Sequence, residues 1–307
     1  MATVRKVTFP SNGIPIVGDL YLPPSGAPDR KRSAIVVSHP WTGVKEQTAG
    51  LHAQHLASAG FVALAFDAAY QGESGGEPRL LENPFQRAED ARAAVTFLST
   101  LADEVDPERV GALGICALGG YVPFAAQTDT RMKAVATVSG ACVGRLTREG
   151  LLPKGGYPKE QFVAMLKSAN ALRVREARKE PQELLATLPD NPEDVPESAP
   201  DLFRDAAWYY RTDRARHPRA PNKYDARSAD LLGNYDSYAF NDLISPRPLL
   251  MIAGTDADTL YFSEAAIEKA KEPKELFLVK GKRHVDLYDD LSETMPKLVD
   301  FFAKNIV

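Results

Sequence analysis

Short apolar runs separated by helical patterns fill the first part of the chain. Ala34-Ile35-Val36-Val37-Ser38, Phe61–Phe66, Val110–Ile115 and Ala134–Ser139 show little of the apolar–polar alternation of a half-exposed strand. Runs of this length and composition predict strands buried on both faces. Between them lie helical patterns over Gln47–Ala59, Phe85–Leu101 and Ala117–Gln127. Strands spaced by helices predict a parallel sheet wound with right-handed crossovers. Upstream, Val7–Pro10 and Ile14–Leu22 flank Ser11-Asn12-Gly13, which predicts an antiparallel hairpin.

The rhythm breaks after Ser139. Residues Gly140 to Ser245 are polar and Pro-rich, with the acidic stretch Leu188–Asp201 between helical patterns at Lys159–Arg178 and Leu202–Arg211. A structureless loop of that length inside a compact domain is rare. The segment therefore reads as a helical cap inserted between late strands of the sheet. Alternation resumes with strand Pro248–Ala253, helix Ser263–Lys271, strand Glu275–Val279 and helix Ser292–Asn305. The expected organisation is an α/β core over 1–139 and 246–307, an eight-stranded, mostly parallel sheet, and a cap over 140–245.

Composition narrows the function classes. The chain has 307 residues, 44% hydrophobic and 25% charged, with a net charge of −4. This is ordinary globular composition, with no basic footprint for nucleic acid or an anionic membrane surface. Met1–Val7 lacks the apolar run of a signal peptide, and no stretch has the length of a membrane span. A cytoplasmic protein is expected, with a small-molecule substrate as its partner; a homodimer is left open. Two cysteines, Cys116 and Cys142, suit a reducing compartment.

The strongest chemical signal is Gly114-Ile115-Cys116-Ala117-Leu118-Gly119-Gly120, set where a buried strand turns into a helix. Such a turn holds a nucleophile clear of the sheet, needs small neighbours to close, and aims the next backbone N–H at a substrate oxygen. The positive end of the following helix is expected to lower the thiol pKa. The same residues also suit a Gly-rich junction with an inert cysteine. One position departs from the usual pattern, which has Gly two residues after the nucleophile where this chain has Leu118. Strand Pro248–Ala253 runs into Gly254-Thr255-Asp256-Ala257-Asp258, so either Asp256 or Asp258 could orient a base. Asp258 is preferred for its spacing to the next helix. His284 follows strand Glu275–Val279 and completes the order nucleophile, acid, histidine. The imidazole would take the thiol proton and return it to a leaving group, with the carboxylate fixing its tautomer.

An oxyanion hole needs two N–H groups. Ala117 offers one, and Trp41, in the loop Ser38-His39-Pro40-Trp41-Thr42-Gly43, offers the other, since Pro40 has no hydrogen to give. His39 is read as a structural support of that loop. His52, His55 and His217 are scattered, so no metal is expected, and no cofactor is called for. Tyr209 and Tyr210, next to Trp208 in the cap, are candidates for an apolar substrate pocket, or equally the core of the cap.

These residues resemble the α/β-hydrolase superfamily, and within it the dienelactone-hydrolase-like branch that carries cysteine at the elbow. Asp67-Ala68-Ala69-Tyr70-Gln71-Gly72-Glu73-Ser74-Gly75-Gly76 is similar to the segment after the superfamily's fourth strand. Gly43–Gln47, Tyr261–Glu264, His284–Asp289 and the cap patch Tyr209–Thr212 with His217-Pro218 resemble a group of bacterial hydrolases and fungal polyketide transferases. The resemblance covers nearly the whole sheet region but only one patch of the cap. It implies a hydrolase acting on an ester, lactone or thioester through an acyl-cysteine, or a transferase passing the acyl group to an alcohol or amine. A binding protein that keeps the fold without turnover is the remaining reading.

Overall fold

The computed structural model describes residues 2–307. Ten strands form: β1 (Thr3–Ser11), β2 (Ile14–Leu22), β3 (Ala34–Ser38), β4 (Val62–Phe66), β5 (Val110–Ile115), β6 (Ala134–Val138), β7 (Leu184–Ala186), β8 (Lys223–Asp225), β9 (Leu249–Gly254) and β10 (Lys274–Val279). Eight of them make one sheet in the order β1-β2-β4-β3-β5-β6-β9-β10. From β4 to β10 every pairing is parallel, and β1 and β2 join as an antiparallel edge hairpin. Asn12 and Gly13 close that hairpin with φ of 48° and 78°, the left-handed pair that a two-residue turn between twisted strands requires.

Residues of strands β3, β4, β5 and β6 are buried throughout, which accounts for their mostly apolar runs. Helices α1 (Thr48–Ser58), α2 (Pro84–Ser99) and α3 (Leu118–Ala126) follow in the first half. The cap carries α4 (Val143–Glu149), α5 (Lys159–Ala177), α6 (Asp201–Arg211) and α7 (Ser228–Leu232), and α8 (Leu260–Lys269) and α9 (Thr294–Ile306) close the chain. One face of the sheet packs on α2, α3 and α8 through Ala91, Leu98, Tyr121 and Phe262. The other packs on α1 and α9 through Ala53, Leu56, Leu298 and Phe302. No helix among the described residues is long and apolar enough to cross a membrane.

The cap segment is not purely helical. β7 and β8 pair as a small antiparallel sheet, each only three residues long. β7 is exposed along its length, so it leaves no hydrophobic alternation in the sequence.

Strand order creates the site. The chain runs from β3 outward to β4, then returns past β3 to start β5 on its other side. At such a reversal the loops leaving the carboxyl ends diverge and open a crevice. Here they are the loop after Ser38 and the turn at Cys116.

The loop after β3 is tied down by a buried lysine. Lys45 is 1% exposed, and its Nζ meets Glu73 at 2.8 Å, Asp19 at 3.5 Å and Asp67 at 3.9 Å, with Glu46 in contact as well. A charge buried this deeply is tolerated only when it is paired on several sides. The cap reaches the same loop at three points. Arg219 pairs with Glu46, Gln47 Nε2 donates to the Ala215 carbonyl at 2.6 Å, and Asn222 Nδ2 donates to Thr42 Oγ1 at 3.2 Å.

Candidate active site

Cys116 stands one residue beyond β5 with φ of +58°, a left-handed conformation that a non-glycine residue adopts at a cost. Its backbone is held on three sides. The N–H donates to the Val138 carbonyl at 3.0 Å, and the carbonyl accepts from Gly119 and Ala141, each at 2.9 Å. Space explains the glycines. A Cβ on Gly114 would lie 2.0 Å from the Leu118 carbonyl oxygen, and one on Gly119 would lie 2.5 Å from the Gly140 Cα. Leu118 departs from the usual pattern without harm because its side chain enters the core, 1% exposed. The close approach that needs glycine falls one residue later. Gly114→Ala is therefore expected to destabilise the fold by about 3 kcal/mol, a loss measurable by urea denaturation. Unchanged stability would mean the elbow can relax.

Around the thiol stand several donors. The backbone N–H groups of Ala117 and Trp41 point toward Cys116, and the Tyr288 hydroxyl lies within hydrogen-bonding reach of it. The loop presents Trp41 through a turn in which Gly43 N–H donates to the Pro40 carbonyl at 3.1 Å and Thr42 takes φ of 58°. His39 braces this loop from below. Its Nδ1 meets the Pro40 carbonyl at 2.7 Å, and its Nε2 accepts the Ala68 N–H at 3.1 Å. A ring nitrogen that accepts an amide N–H is unprotonated. Burial pushes the His39 pKa down to about 3, which agrees with a neutral ring.

His284 is buried, with a hydroxyl on each ring nitrogen. Thr259 Oγ1 lies 2.5 Å from Nδ1 and Tyr288 Oη lies 3.1 Å from Nε2. Ser139 Oγ fixes the same residue's carbonyl at 2.8 Å. Burial pushes the imidazole pKa down to about 3. Of the two acids, Asp258 is 8% exposed and directly precedes Thr259, and its Oδ2 accepts the Leu202 N–H at 3.1 Å in the first turn of α6. Asp256 faces solvent and accepts from Thr255 Oγ1 at 2.8 Å.

The thiol differs from the expectation of a lowered pKa. Burial among apolar walls raises it, against the pull of Tyr288 and the two N–H groups. The helix end is present, but desolvation of a thiolate outweighs it. Both shifts run in the direction that favours a neutral thiol beside a neutral imidazole.

Above the thiol lies a small pocket of about 80 Å³, with Trp41, Leu202, Phe203, Tyr210 and Tyr288 among its walls. The three aromatic residues of α6 separate. Tyr210 lines the cavity, whereas Trp208 is 50% exposed. Tyr209 stands behind the wall, edge-on to Tyr288 at 5.2 Å and under the Arg214 guanidinium at 5.2 Å. Successive residues of a helix point about 100° apart, so three in a row cannot face one pocket. Tyr209 thus supports the wall without forming it. The two hydroxyls on His284 were not singled out from sequence. Tyr288 lies four residues after the histidine, and Thr259 directly follows the favoured acid.

An eight-stranded, mostly parallel sheet with a strained residue at a strand-to-helix turn defines an α/β hydrolase. The Dienelactone hydrolase family matches residues 19–151. The chain belongs to that family and is an enzyme of the hydrolase and acyltransferase type. It is 40% identical to the uncharacterized protein PA2218 of Pseudomonas aeruginosa, over 98% of this chain and 81% of that one. The crystal structure of PA2218 superposes with a TM-score of 0.91, over 99% of this chain and 94% of that one. An uncharacterized Escherichia coli protein, YcjY, is 36% identical over 98% of this chain and 99% of its own. The polyketide transferase claH of Penicillium crustosum is 30% identical over 58% of this chain and 54% of its own.

Proposed function

We propose that Cys116 is the nucleophile of an acyl-transfer reaction that cleaves an ester, lactone or thioester. The observation that carries this reading is the convergence on one thiol of two backbone N–H groups and the Tyr288 hydroxyl, which itself touches His284 Nε2. As Sγ attacks the carbonyl carbon, its proton passes to Tyr288 Oη while the Tyr288 proton passes to His284 Nε2. Thiolate character and imidazolium form together, so neither charge waits in the apolar pocket. The charge developing on the carbonyl oxygen is met by the Ala117 and Trp41 N–H groups. Collapse expels the leaving group, which takes the proton from His284 and leaves an acyl-Cys116 thioester. Water repeats the steps in reverse and releases the acid.

Transfer to an alcohol or amine is the second reading. It is favoured by the apolar cavity, which disfavours water, and by likeness to a protein named as a polyketide transferase. Intact-mass spectrometry after mixing with a p-nitrophenyl ester tests both. An acyl adduct on Cys116 that decays to free acid within seconds supports the hydrolase. One that persists for minutes and is discharged by an added alcohol supports the transferase. Absence of any adduct or product with a broad panel of esters and thioesters removes both.

The orienting acid is assigned to Asp258. Asp258→Asn is expected to lower kcat roughly 100-fold, less than the ten-thousandfold of a lone orienting carboxylate, because Thr259, the residue after it, is what meets Nδ1. Asp256→Asn should leave kcat within about twofold, as surface changes usually do. The reverse ranking in steady-state kinetics would give the role to Asp256.

A further inference from the structure

A second and larger pocket, of about 360 Å³, adjoins the first. The two share Trp41, Leu146, Thr187 and Phe203 in their walls, so they abut, and Cys116 lines only the first. Among the described residues neither wall includes a Lys, Arg, Asp, Glu or His side chain. Two of the hydroxyls in the second chamber are already engaged. Tyr157 Oη donates to the Leu146 carbonyl at 2.9 Å, and Thr187 Oγ1 donates to the Asn222 carbonyl at 2.8 Å. Trp41 packs its ring against Tyr224 at 4.8 Å, making an aromatic corner between the chambers.

We propose that the two chambers join as one trough when substrate binds, that the second holds the far end of the acyl group, and that the substrates are esters or thioesters of long, uncharged, largely apolar acyl chains. This rests on the acyl-cysteine reading. Trp41 couples the two ends of the trough: its N–H faces the thiol while its ring borders both chambers. A carbonyl oxygen bound at that N–H places one arm of the substrate beside the ring. The acyl arm stays after the leaving group departs, and a chamber walled by the cap suits the group that stays. Total space of this order exceeds the needs of an acetyl group, and a walled apolar trough gains binding energy with each methylene placed in it.

The test is turnover of p-nitrophenyl esters with acyl chains from acetyl to tetradecanoyl. The wild-type kcat/KM is expected to climb roughly two- to fourfold per added methylene until the trough is full. A dodecanoyl chain ending in a carboxylate should be at least about tenfold poorer than plain dodecanoyl, because burying a charge without a partner is costly. Met165 lines the second chamber and not the first. Met165→Trp should therefore shorten the optimal chain, and Met165→Ala should lengthen it. A flat profile, or an optimum unmoved in whichever Met165 variants fold, overturns the inference. So does a series of alkyl acetates in which rate climbs with the alcohol in place of the acyl chain. These outcomes leave the acyl-cysteine reading intact so long as acetyl turnover vanishes in Cys116→Ala. Turnover that survives that substitution removes the reading itself.

Discussion

Cys116→Ala is expected to lower kcat for ester and thioester turnover by a factor on the order of 10⁴ to 10⁶, with stability close to that of the parent. A nucleophile, its base and the oxyanion donors act as a unit, so removing the sulfur removes the covalent route entirely. Donors and cavity remain, and they account for whatever residual rate survives over water. Alanine takes the left-handed turn at Cys116 about as well as cysteine does, because both carry the same Cβ. The backbone bonds to Val138, Gly119 and Ala141 should therefore persist. Near-normal activity in this variant would refute the nucleophile assignment.

Alkylation of Cys116 by iodoacetamide is expected to rise about tenfold per pH unit from pH 6 to 9, roughly a thousandfold in all. Burial holds the thiol above its ordinary value, so the reactive thiolate is a small fraction that grows with pH throughout this window. His284, pushed down to about 3, stays neutral and contributes no inflection near pH 6.5. Cys142, fully buried with its sulfur accepting the Ser237 N–H at 3.2 Å, should label far more slowly. A rate that levels off below pH 7 would reveal a standing thiolate–imidazolium pair, and the neutral resting state would be wrong. The proton relay through Tyr288 would then be unnecessary.

The sheet was legible because strands buried on both faces have few polar positions to confuse the reading. Val110–Ile115 is observed with the expected bounds, and Ala134–Ser139 with one residue fewer. The elbow was legible for a steric reason. Backbone runs so close at Gly114 and Gly119 that few other residues fit, and that requirement is written into the sequence. Thr259 and Tyr288 were harder to see, because a hydroxyl that meets a ring nitrogen leaves no periodic trace. Both belong to turns whose geometry is set by the sheet beneath them. The thiol pKa was misread because sequence displays the helix that follows Cys116 but not the apolar walls folded over it. Those walls come from α4 and α6 of the cap and the loop after β3, segments far apart in the chain. The short β7–β8 pair escaped notice because three exposed residues carry no alternation.

Glu46 has two claimants, Lys45 from within the loop after β3 and Arg219 from the cap, and the same stretch of loop presents the Trp41 N–H. The cap is therefore not a hinged cover over a finished catalytic floor. Trimming it to open the site would withdraw Arg219, the Ala215 carbonyl and Asn222 from that loop together, leaving Glu46 and Thr42 without their outer supports. An engineer seeking a roomier pocket would do better to recarve the walls of the trough one side chain at a time. The roof and the proposed oxyanion donor are parts of one truss, and removing the first slackens the second.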